Sequence, residues 1–71
     1  MTHIGSYSLV KLRDGDIAYN VKIPKKYLHG RKYPYLCKFL TDDIEDIEST
    51  IKSDIGTNEK IILYEGDVYS I

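Results

Sequence analysis

Few side chains in this chain of 71 residues offer chemistry beyond charge, and none has a neighbour that would put it to use. Cys37 is the only thiol. A nucleophilic cysteine needs a base beside it, and neither His3 nor His29 is close to it in sequence. Cys37 sits in an alternating apolar stretch, Tyr35-Leu36-Cys37-Lys38-Phe39-Leu40, and reads as a buried, inert thiol. His29, next to Gly30, carries an imidazole, the side chain most often used as a general base. A lone loop histidine is more often only a loop residue. Asp14-Gly15-Asp16 looks like a fragment of a calcium loop, but the alternating aspartates and the closing glutamate that complete such a loop do not follow. There is no Gly-x-Ser-x-Gly elbow and no phosphate-cradling glycine loop. One thiol builds neither a cysteine-based zinc site nor an internal disulfide. A core this small leaves no room for a deep, water-excluding pocket. The expectation is a non-enzyme with no catalytic residue, no metal ligands and no cofactor.

Charge is what the sequence organises. The net charge of −1 hides a dipole. Residues 21–40 carry six cations (Lys22, Lys25, Lys26, Arg31, Lys32, Lys38) and no acid; residues 41–71 carry nine acids against Lys52 and Lys60. Within the basic part, Lys25, Lys26, Tyr27, His29, Arg31, Lys32, Tyr33 and Tyr35 interleave cations with tyrosines. That composition suits phosphates and stacked bases, or an acidic protein surface. It equally describes a solvated loop whose tyrosines fold back on the core. Within the acidic part, Asp42, Asp43, Glu45 and Asp46 form a candidate acidic surface. Three of these, Asp42, Asp43 and Glu45, are also accounted for by the positive end of a helix dipole.

The elements that would carry these residues can be read in order. Asp14-Gly15 predicts a two-residue type I′ turn. That register sets Arg13 opposite Asp16, Leu12 opposite Ile17 and Val10 opposite Tyr19. It directs Val10, Leu12, Ile17, Tyr19, Val21 and Ile23 to one face. Pro24 ends the second strand, and residues 24 to 34 read as a loop. Residues 35 to 40 predict a short central strand. Asp42 with Glu45 three residues on predicts a capped helix start, with Thr41 as an alternative cap. Ile44, Ile47, Ile51 and Ile55 then form one stripe, Glu48 and Lys52 are spaced to pair, and Gly56 stands at the C-cap. Lys60 to Tyr64, a turn at Glu65-Gly66-Asp67, and Val68 to Ile71 predict a second hairpin whose loop length is open. The fold class is α+β, a mainly antiparallel sheet with one helix across one face, in a single domain spanning residues 1–71.

The remaining composition bears on setting. The first residues lack the basic and apolar regions of a signal peptide, and no run approaches a membrane span. A single cysteine in so small a domain fits a reducing, cytoplasmic setting. Eight lysines against two arginines, with ten isoleucines, fit an AT-rich source such as a low-GC bacterium or its phages. No stretch carries a signature specific enough to name a family. The function expected is a small protein-interaction module that docks on a larger macromolecule, as a phage or mobile-element accessory or inhibitor protein would. Seven tyrosines and two opposite charge patches favour it. The alternative is a nucleic-acid binder using the basic segment 22–38. A larger protein is the expected partner, no membrane is, and association between copies is left open.

Overall fold

Alternation of apolar and polar residues makes five strands, and the isoleucine stripe makes one helix. The computed structural model describes residues 1–71. The elements are β1 (Thr2–Lys11), β2 (Ile17–Ile23), β3 (Tyr35–Phe39), α1 (Ile44–Ile55), β4 (Ile61–Tyr64) and β5 (Asp67–Ser70), with a 3-10 turn at Lys25–Tyr27. All strand pairs are antiparallel and lie in the order β3-β2-β1-β5-β4. The expected α+β architecture is present, with the sheet fully antiparallel. The predicted strand after Pro34 forms, but β3 lies at one edge of the sheet, because the chain folds back along the free side of β2 and α1 then carries it to the far edge. No helix is long and apolar enough to cross a membrane.

The first hairpin differs from the expectation by one residue. Leu12 N–H donates to the Asp16 carbonyl at 2.7 Å and Gly15 N–H to the Leu12 carbonyl at 3.1 Å, so the loop is Arg13-Asp14-Gly15. A type I′ turn would need positive φ at Asp14, where φ is not positive; only Gly15, at φ 90°, takes that conformation. Glycine accepts it without strain, and Asp14 Oδ1 fixes the turn by accepting from Asp16 N–H at 3.0 Å. The pairs are therefore Leu9 with Tyr19 and Tyr7 with Val21, not Val10 with Tyr19. A one-residue slip turns over a whole strand. Tyr7 and Leu9 face the helix side, and Val10 turns to the opposite face. The type I′ turn occurs instead in the second hairpin, where Glu65 and Gly66 both have positive φ, 48° and 86°.

The helix follows its prediction except at its start. Asp43, not Asp42, is the N-cap, its side chain accepting from Asp46 N–H at 3.2 Å, while Thr41 Oγ1 accepts from Asp43 N–H at 3.2 Å. Gly56 closes the helix with φ 69°. Ile47 and Ile51 are fully buried, and Ile44 and Ile55 pack against the core from either end. They meet Ile23, Val21, Tyr35, Ile61, Leu63 and Val68 from the sheet. Glu48 does not pair with Lys52; its Oε2 accepts from Leu63 N–H at 2.7 Å and so covers the outer edge of β4. A bulge in β1 between His3 and Gly5 buries Ile4 and Gly5 together.

Candidate interaction surfaces

Cysteine and histidine are kept apart by the topology. Cys37 is half-buried on β3. His3 lies on β1, its Nε2 2.9 Å from Asp67 Oδ1 and its ring edge-on to Tyr69. No three His, Cys, Asp or Glu side chains converge where a metal ion could be held.

The basic loop and the Asp42–Asp46 cluster occupy opposite ends of α1, about 18 Å apart for a helix of 12 residues. Lys25, Lys26 and Tyr27 form the exposed 3-10 turn, with Lys26 Nζ 5.2 Å from the Tyr27 ring centroid. Leu28 is buried and pins this loop, leaving His29, Lys32 and Tyr33 exposed around it. Arg31 Nη2 donates to the Asp54 carbonyl near the helix C-terminus, where a cation suits the negative end of the dipole. Tyr35 belongs to the core, 9% exposed, its hydroxyl donating to Asp54 Oδ2 at 2.6 Å. Burial first, and then that bond, raises its pKa far above the usual phenol range, so it is neutral and its ring is not offered to a ligand. At the other end, Asp42, Asp43, Glu45 and Asp46 are exposed, with Asp43 engaged as the cap. No lysine or arginine lies within salt-bridge distance of a carboxylate; the one contact of that length is the hydrogen bond between His3 and Asp67. Arg31 meets Asp54 only at its main-chain carbonyl, so no cation of the basic segment is paired with a carboxylate of the acidic one.

Two surfaces emerge that the charge pattern did not single out. The first is the distal half of the β1–β2 hairpin. The molecule measures 37 × 23 × 19 Å, and β4 and β5 flank β1 only as far as Ser6. Beyond that row the cover on the helix side thins out: Val21 is still buried and Tyr7 and Tyr19 pack against the core, but Leu9 and Ile17 are exposed. Val21 and Ile23 are buried on β2, but Ile17 on the same face is 50% exposed, and Leu9, opposite Tyr19, is 58% exposed. Tyr7 and Tyr19 continue the strip, their rings 5.9 Å apart, and Phe39 lies across from Tyr19. A groove of about 440 Å³ brings Asp16 and Ile17 beside Leu40, Thr41 and Asp42, so carboxylates border the strip.

The second is the face of the sheet away from the helix. A groove of about 550 Å³ runs across β1, β2 and β3 there, with Ser6, Ser8, Asn20, Lys22, Leu36 and Lys38 facing it. Alternation in Ser6-Tyr7-Ser8-Leu9 was the available signal for both surfaces. It places the serines on one face and Tyr7 and Leu9 on the other.

No family model, curated protein or solved structure matches this chain.

Proposed function

We propose that this protein acts by binding rather than catalysis, as a small module that docks on a larger protein through its projecting hairpin. One observation carries the reading: the apolar face that is buried along Val21 and Ile23, and half-covered at Tyr19, ends in the exposed side chains of Leu9 and Ile17. A contiguous apolar strip left in water is unfavourable unless something covers it, and aromatic anchors within such a strip are the usual energetic centre of an interface. Asp14, Asp16 and Asp42 beside the strip favour a partner with an apolar pocket rimmed by lysine or arginine. Half-buried, unpaired Cys37 and the lysine-rich composition support a reducing cytoplasm and an AT-rich source, where such a binder would serve as a phage or mobile-element accessory or inhibitor protein.

Affinity capture from source-cell extract tests this, with wild type compared against Leu9→Ser/Ile17→Ser. Both side chains are half-exposed, so each change costs no more than about 1 kcal/mol of stability. The expected result is one stoichiometric partner retained by the wild type, lost by the double variant, and released more readily at higher salt. Equal retention by the variant would remove the hairpin from the reading. Retention of nothing at low salt would remove docking altogether.

A further inference from the structure

We infer that the helix-free face of the sheet binds a short segment of single-stranded nucleic acid along the groove between Lys38 and Lys26. The groove of about 550 Å³ adjoins a second of about 330 Å³, the two sharing Ser6 and Lys22, and the second leads to Lys26 and Tyr27. Lys38, Lys22 and Lys26 thus stand along one continuous channel. No aspartate or glutamate lines either groove, although the protein carries eleven. Asp67, which shares this face, is engaged by His3. None of the three lysines is in an ion pair, so no carboxylate of the protein competes with a ligand for them.

The register fixes the spacing. Asn20 pairs with Lys38 and Leu36 with Lys22, which places the two lysines on a diagonal about 7–8 Å apart. That is the backbone separation, and the flexible four-carbon stems let the two ammonium groups reach successive phosphates of an extended single strand. The floor between the lysines is Ser6, Ser8 and Asn20, whose side chains make no hydrogen bond within the protein. Small polar groups on a concave floor admit a base or sugar edge and offer it donors and acceptors. A double helix encloses its bases and would bring only its backbone to this floor. Exposed Leu36 on one wall and Tyr27 at the far end supply apolar and stacking contacts. The basic loop then extends the channel rather than forming the site, since Tyr35 is buried and Arg31 is held by the helix.

Fluorescence anisotropy with labelled DNA and RNA single strands of about 12 nucleotides, and with a duplex of the same length, tests this. Three lysines displacing counterions from a single strand give a slope near −2 in log K against log salt. Affinity should therefore fall about 20-fold from about 50 to about 200 mM salt. Binding should be lost in Lys22→Glu/Lys38→Glu and unchanged in Leu9→Ser/Ile17→Ser, with circular dichroism confirming the fold. Should the charge reversal disturb folding, Lys22→Gln/Lys38→Gln should still weaken binding and flatten the salt slope. The DNA and RNA arms decide which sugar is preferred. Duplex binding as tight as single-strand binding, equal competition by polyglutamate, or no binding at about 50 mM salt would each overturn the inference.

Discussion

Gly5 shows how much one missing side chain can decide. A Cβ there would collide with the Lys22 carbonyl and press on Ile23, both part of the neighbouring strand's backbone or its buried anchor. Backbone cannot move aside without breaking the pairing of β1 with β2. Gly5→Ala should cost about 2–3 kcal/mol, seen as a lower urea midpoint with an unchanged slope. Tyr35 makes the second residue-scale prediction. Tyr35→Phe removes the bond to Asp54 and should cost about 1 kcal/mol near neutrality. Its pH dependence has a definite sign. The native state holds this phenolic proton more tightly than the unfolded chain, whose tyrosine titrates near pH 10. The contribution is therefore complete below about pH 10 and is lost as pH rises above it, when only the unfolded chain releases the proton. Wild-type stability should fall more steeply than that of Tyr35→Phe in alkaline urea titrations; parallel curves would contradict the assignment.

Element ends are set by local hydrogen bonds, and neighbouring aspartates there are not equivalent. Asp43 satisfies the Asp46 N–H, whereas Asp42 makes no such bond. Asp43→Ala should cost about 1 kcal/mol and Asp42→Ala close to nothing, a difference readable in paired thermal melts. The two sheet edges also differ. The outer edge of β4 is covered where Glu48 accepts from Leu63 N–H, while β3 has no strand on its outer side. Glu48→Ala should lower stability by about 1–2 kcal/mol, and Glu48→Gln, which keeps an acceptor oxygen, by less.

For the whole molecule the margin is thin. A single core in a chain of this length rarely supplies more than about 3–5 kcal/mol. Ile51 is fully buried where the helix meets the sheet, and replacing it by alanine typically costs about 2–5 kcal/mol. Ile51→Ala should therefore populate the unfolded state heavily at 25 °C, whereas Ile55→Ala, at the partly exposed end of the stripe, should remain folded; circular dichroism separates the two. The surface is 5084 Å², and an ordinary interface covers about 800 Å² of each partner. One protein docked on the hairpin would leave the opposite face of the sheet free, so the two proposed ligands need not compete.

Much of the fold is written locally. Isoleucines at helical spacing, Gly56 after them and Pro24 ending a strand act within a few residues, and the structure places each of them as its type requires. The turn at Asp14-Gly15 was legible, but its length was not. Two- and three-residue loops share that dipeptide, and the choice between them turned over β1 and exchanged Val10 for Leu9 on the helix side. The charge runs were visible as well, yet Tyr35 and Arg31 left the exposed set because burial and a helix carbonyl claimed them. Which apolar residues stay wet depends on how far the helix and the outer strands reach along the hairpin. That is a property of packing between distant segments, and no periodicity within one segment encodes it.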